Sequence, residues 1–206
     1  LAGDPQFTVN AANSSLIGWE PGNEGMPIPF EVSAGESFNF GSVVTNTTKS
    51  PTVSYCDLDT AVSAATSGDT LRADVDFTVP TGIAVQKALT LNTNGKTITY
   101  SSPNSAMLMV YGAGDLTVTG GGVLDAPDAT PLSLLSFNPA ITPKITLADA
   151  TISGGFRSVS IQGHLYHNPF TEPYPVLFAM TGGTTTDGIF IQGLGAELIV
   201  SGGTVT

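Results

Sequence analysis

Asp125, Asp128, Asp149 and Asp187 fall near the ends of short β-rich runs, where folding can bring distant carboxyl groups together. Two carboxyls about 5 to 9.5 Å apart across one bond are what glycoside hydrolysis requires. Arg157, the one arginine in the second half of the chain, is the natural base for a polysaccharide lyase, whose calcium would need carboxylate ligands. No acidic cluster surrounds it in sequence, although folding could supply one. Asp69, Asp74 and Asp76 are the calcium candidates, but isolated acidic residues of this kind read as solvated. His164 and His167 are the only histidines; they offer two zinc ligands with no cysteine nearby. Gly120-Gly121-Gly122 lacks the helix and lysine of a phosphate cradle and reads as a tight corner. Asp187, in Thr186-Asp187-Gly188, reads as a turn former. None of these sets is complete, so no catalytic residue, metal site or cofactor is assigned, with calcium the one cofactor held in reserve.

Contact chemistry is better represented. The segment from His164 to Pro175 contains His164, Tyr166, His167, Phe170, Tyr174 and three prolines, and reads as a loop projecting from a plainer scaffold. Aromatic side chains on a rigid support suit ligand or partner contact, though such a loop also packs on itself. Trp19, in the turn-rich stretch Gly18 to Gly25, is either a local core anchor or a docking aromatic.

Composition narrows what can position these residues. Charged residues make up 11% of the 206, against roughly 25% in an average soluble domain, while glycine is abundant at 24. Few charges with many turn formers and β-branched residues predict an all-β protein. The formal net charge of −11 reflects a shortage of cations: Lys49, Arg72, Lys87, Lys96, Lys144 and Arg157 are scattered, which excludes a nucleic-acid footprint. An acidic polysaccharide would be repelled unless a cation bridged it. No apolar run approaches the roughly 20 residues of a membrane span. Cys56 stands alone, so no intrachain disulfide forms. Asn13 and Asn46 begin glycosylation sequons, a pattern common by chance in chains rich in serine and threonine.

Residues 1–55 predict a small irregular β module, with strands at Phe30-Glu31-Val32 and Ser37-Phe38-Asn39-Phe40. Residues 57–66 predict the one helix: Leu58, Val62 and Ala65 share a face, Asp57 caps it, Asp59 suits the first turn and Gly68 stops it. Beyond Thr70, short β runs alternate with Gly, Asn, Pro and Asp. The strand centres Leu91, Val118, Leu147 and Val200 are 27, 29 and 53 residues apart, the last gap close to two periods. A period of this size marks a repeat architecture in which each unit buries its apolar face against its neighbours. The expected inward residues are Leu89, Leu91, Ile98, Met107, Leu116, Val118, Ile145, Leu147, Ile152, Val159, Ile161, Ile189, Ile191 and Val200. A competing signal is Asn94-Gly95, which ordinarily marks a type I′ hairpin and would favour an antiparallel sandwich.

The run from Tyr55 through Val62, then Ser67-Gly68-Asp69-Thr70-Leu71 and Leu89 to Ile98, resembles the opening of right-handed parallel β-helices of the pectate-lyase-like superfamily, as in bacterial surface adhesins and phage spike or fibre proteins. The likeness covers about residues 53 to 126 well and the rest loosely. It implies an all-β solenoid over 56–206 with a helical N-terminal cap, preceded by the 1–55 module; the other end reads as truncated. Thr186-Asp187-Gly188-Ile189 also resembles an element of polygalacturonase-type hydrolases. The adjacent Asp pair and Arg-x-Lys of that family are missing, and Gly163-His164 precedes Asp187 rather than following it. The superfamily spans enzymes and structural proteins. The expected function is therefore a non-catalytic structural or adhesion protein, extracellular, on a virion or cell surface. The 1–55 module would attach to a surface protein, and a surface glycan and a homotrimer are the further partners expected. The alternative is a polysaccharide lyase or glycoside hydrolase completed by residues elsewhere. The contact candidates are Trp19, His164, Tyr166, His167, Phe170 and Tyr174.

Overall fold

A computed structural model describes residues 42–103, 105–163 and 173–206, together with the backbone of strands within 8–39. Those strands are β1 (Thr8–Asn10), β2 (Leu16–Pro21), β3 (Pro27–Val32) and β4 (Ser37–Asn39), with β1 antiparallel to β4 and β2 antiparallel to β3. A short hairpin follows, β5 (Val44–Asn46) and β6 (Val53–Tyr55), then the helix α1 (Leu58–Ala64).

From Asp69 onward the chain visits three parallel sheets in rotation. The first round is β7 (Asp69–Ala73), β8 (Phe77–Val79) and β9 (Ile83–Val85); the second is β10 (Ala88–Asn92), β11 (Thr97–Tyr100) and β12 (Ala106–Val110). The third round is β13 (Asp115–Thr119), β14 (Val123–Ala126) and β15 (Thr130–Leu135), and the fourth is β16 (Lys144–Leu147), β17 (Thr151–Gly154) and β18 (Val159–Gln162). The fifth holds β19 (Val176–Met180), β20 (Thr184–Thr185) and β21 (Ile189–Gln192), and the sixth β22 (Ala196–Val200) and β23 (Thr204–Val205). Each strand pairs with its counterpart one round away, so the first sheet runs β7-β10-β13-β16-β19-β22, the second β8 to β23 and the third β9 to β21. This all-β arrangement of stacked parallel sheets with a single helix is compatible with a β-solenoid.

Alternation along each strand makes the core. Inward positions align into ladders, such as Leu71, Leu91, Val118, Leu147 and Met180 in the first sheet and Val85, Val110, Leu134 and Ile161 in the third. All of these are buried. Eleven of the fourteen expected inward residues, Leu89 through Ile161, are buried likewise. Ile189 is half-buried, while Ile191 and Val200, 44% and 49% exposed, sit on the last described strands, with no described neighbour beyond. The register also divides the 53-residue gap: Met180 pairs with both Leu147 and Val200 and occupies the missing position. The rounds are unequal because the connection between β18 and β19 is long. Asn94 and Gly95 do adopt positive φ, 51° and 71°, as the dipeptide predicts. They turn a corner between the first and second sheets instead of closing a hairpin, so the sandwich alternative is not adopted.

The near end of the core is covered. β5 pairs antiparallel with β7 and occupies its open edge, and α1 lays Leu58 and Val62 over Leu71, Val85 and Leu89. Asp57 caps α1 as expected, its carboxylate accepting from the Thr60 amide at 2.6 Å. The helix ends earlier than the sequence predicts. Ala65 is already extended at ψ 152°, and Gly68, at φ 92°, opens the turn into β7 and does not stop the helix. Among the described residues no helix is long and apolar enough to cross a membrane.

Candidate functional site: a trough on the third sheet

The corner between β17 and β18 reads Gly154-Gly155-Phe156-Arg157. Gly155 presses against the round before it: its amide donates to Ala126 O at 2.8 Å, and a Cβ there would meet Pro127 O at 1.6 Å. The backbone hugs the stack and lifts the next side chain out, leaving Phe156 81% exposed. The corner is anchored from within. Ser158, fully buried, donates from Oγ to Ile152 O at 2.8 Å and accepts from the amides of Thr186 and Asp187 at 3.2 and 3.0 Å. Asp187 in turn accepts from the Gly154 amide at 3.0 Å and the Thr186 hydroxyl at 2.5 Å. The Thr186 hydroxyl first, then the Gly154 amide, hold its carboxyl below the ordinary value. Asp187 is therefore the turn former that the sequence implies, and it ties two successive corners together.

Arg157 lies over Phe190, its guanidinium carbon 4.2 Å from the ring centroid. Such a contact at an exposed site contributes about 0.5–1 kcal/mol and fixes a flexible cation in place. Phe156 and Arg157 form one wall of a trough of about 310 Å³ on the outer face of the third sheet. Its floor is polar and uncharged: Thr130, Ser133, Ser160 and Gln162, with Gln162 Nε2 donating to Ser160 Oγ at 2.8 Å. Asp128 stands at the same rim. A second hollow shares Phe156 and Arg157 and is completed by Asp187, Gly188, Ile189 and Phe190. At the opposite end of the strands Tyr111 and Phe137 meet edge to face, 5.8 Å between centroids, and Gln86 donates to the Tyr111 hydroxyl at 3.0 Å. Phe137 is 64% exposed.

The chemistry-bearing residues of the sequence are dispersed. Asp128 lines the trough and Asp187 the second hollow, and Arg157 lines both. Asp149 accepts from the Gly120 amide at 2.6 Å, bracing a corner, and Asp125 lies on the second sheet. Asp76 is exposed, as expected of a solvated residue, whereas Asp69 and Asp74 are not. Asp69 is buried and accepts from Asn46 and the Thr66 amide, with Lys49 at 3.1 Å; Asp74 accepts from Thr45 and Arg72; Asp76 accepts from the Thr97 amide. Each carboxylate combines or replaces near neighbours with distant partners: Asp69 and Asp74 each take one bond from within three residues and another from the capping hairpin, and Asp76 takes its bond from Thr97. Among the described residues no group of three metal-ligating side chains gathers. Gly120 to Gly122 form a tight corner, as read, and Asn46, which begins one of the sequons, is buried and donates to Asp69.

Of the contact candidates, Tyr174 is half-buried and its amide donates to Leu194 O at 3.1 Å, leading into β19. Trp19 lies on β2, its side chain outside the described residues, as are His164, Tyr166, His167 and Phe170. Phe156, Phe190, Tyr111 and Phe137, which sequence reasoning did not single out, are the aromatics with exposed rings or ring contacts on this side of the stack. For Phe156 the legible signal was its place directly after Gly154-Gly155; the other three carry no such mark. No family model matches the chain, and no curated protein and no solved structure is found to be similar to it.

Proposed function

We propose that this chain is a right-handed parallel β-helix of the pectate-lyase-like kind that serves as a non-catalytic display or adhesion element on the exterior of a virion or cell. Residues 1–55 attach it to a surface protein, the stacked rounds project, and the trough on the third sheet makes the contact. The observation that carries this reading is Phe156, held 81% exposed by a corner whose backbone is bonded on both sides. Its ring and the neighbouring Arg157–Phe190 pair make an exposed aromatic surface on a rigid scaffold, which suits partner contact. Homotrimeric association is part of the same reading.

Electron microscopy of the native source particle, at a resolution that traces residues 1–55, tests it. The expected result is that segment docked on a neighbouring protein with the third sheet facing outward. A free monomer, or a third sheet turned into the particle, overturns it. A second reading, cleavage of a polysaccharide, draws on Asp128 and Asp187, which line the two hollows that share Arg157. Release of reducing or unsaturated ends from a polysaccharide panel would establish that reading instead.

A further inference from the structure

We propose that the corner between the second and third sheets docks a segment of a partner protein in which a carboxylate side chain lies next to an apolar one. The carboxylate meets Arg157 and the apolar group covers Phe156. The proposal rests on the contact role given to this side of the stack and adds the chemistry of the partner.

Four of the six cations are engaged within the chain. Among the described residues Lys49 pairs with Asp69, Arg72 with Asp74 and Lys144 with Asp115, while Lys87 donates to the last carbonyls of α1. Arg157 differs. Its guanidinium carbon sits 4.2 Å from the Phe190 ring centroid, yet none of its side-chain N–H groups has an acceptor among the described residues. Asp187, which lines the same hollow, is already engaged by the Gly154 amide and the Thr186 hydroxyl. A guanidinium carries its donors in a fixed fork that matches the two oxygens of a carboxylate. The corner beneath it is tied to the neighbouring rounds through Gly155, Ser158 and Asp187, so the fork is presented on backbone that needs no further ordering.

The surroundings select one carboxylate beside an apolar group. Phe156, 81% exposed, directly precedes Arg157, and Ile189 and Phe190 help to line an open hollow of about 320 Å³. A fitting partner therefore carries its carboxylate and its apolar side chain on neighbouring residues. Asp128 and Asp187 line the adjoining surface and the chain as a whole carries −11. A phosphate or a polyuronate, with several charges, meets a repulsive field there, whereas a single carboxylate is offset by the guanidinium it meets.

NMR titration of the nitrogen-labelled chain with acetyl-Asp-Leu-amide and with acetyl-Asn-Leu-amide tests this, because the two probes differ in one charge. Saturable shifts are expected at the amides of residues 154–158 and 187–190 and at the Arg157 Nε–H, with the asparaginyl probe binding about tenfold more weakly. Arg157→Gln should abolish that difference, whereas Phe156→Ala should weaken both probes alike. Amide spectra of the variants away from the corner should match the parent, since neither side chain is buried. Equal affinity for the two probes, shifts that leave the corner unmoved, no saturable binding, or tighter binding of inorganic phosphate or digalacturonate than of the aspartyl probe overturns the proposal. A chain that docks on its source particle through residues 1–55 yet ignores the aspartyl probe leaves the display reading standing while this one falls. Selective binding of that probe by a chain found as a free monomer supports the docking chemistry and removes the display reading.

Discussion

The ammonium group of Lys87 lies 2.8 Å from the carbonyl oxygen of Ala65, at the C-terminal end of α1, and also donates to Val62 O and Ser63 O at 3.1 and 3.2 Å. The last turn of α1 contains no basic residue of its own. A cation between β9 and β10 therefore satisfies carbonyls that a helix terminus leaves without partners and complements its dipole. Lys87→Met, which keeps the stem and removes the donor, should lower unfolding stability by about 1–2 kcal/mol. Urea denaturation reads this directly. Loss of protection in the α1 amides, with later rounds unaffected, would place the effect at the cap.

Asp69 joins the capping hairpin to the first round. Its carboxyl is held far below the ordinary value, chiefly by the Thr66 amide and further by Asn46 and Lys49, against the opposing effect of burial. A carboxyl depressed on folding contributes stability that is present above its unfolded value of 3.8 and is lost as pH falls towards the folded one. Asp69→Asn should cost about 2–3 kcal/mol at neutral pH, and the gap to the parent should narrow below about pH 4. Chemical denaturation across pH 2.5 to 7 reads both. A constant gap would contradict the linkage.

Two adjacent glycines make a matched comparison. A Cβ on Gly122 would meet Lys96 O at 2.2 Å, whereas one on Gly121 meets nothing within 4 Å, although its φ is +69°. Gly122→Ala should cost about 3 kcal/mol because a neighbouring backbone must move. Gly121→Ala should cost about 1 kcal/mol, the strain of a left-handed conformation alone. Thermal melts of the pair test whether the close stacking of rounds, rather than turn conformation, sets the demand for glycine.

Thr185 occupies an inward position between Ile152 and Val205, fully buried, and its hydroxyl has no hydrogen-bond partner among the described residues. Thr185→Val should raise stability by about 1 kcal/mol, since the shape is kept and an unsatisfied polar group is removed. A destabilised variant would mean that the hydroxyl is bonded in solution.

Much of the stack was legible in the residues themselves. Strict alternation in Leu89-Thr90-Leu91 or Leu116-Thr117-Val118 declares which side faces the core, and Asp57 with Leu58, Val62 and Ala65 declares the helix. Met180 was hidden because the long connection before β19 breaks the period. Asn94-Gly95 reports its own backbone angles but not which sheet the chain enters next. The trough was hidden for a related reason. Ala106, Ser133 and Phe156 belong to different rounds, and their convergence depends on a register that no single segment contains. Of the aromatic-rich stretch at 164–175, residues 164–172 lie outside the described residues.

Hydroxyl-radical footprinting of the chain, purified and on its native source surface, tests the contact role of the trough most directly. The account predicts that Phe156 is oxidised as readily on the particle as in the purified chain, because the third sheet faces outward. Protection of Phe156 on the particle would mean that a neighbouring subunit covers the trough, and would contradict the account.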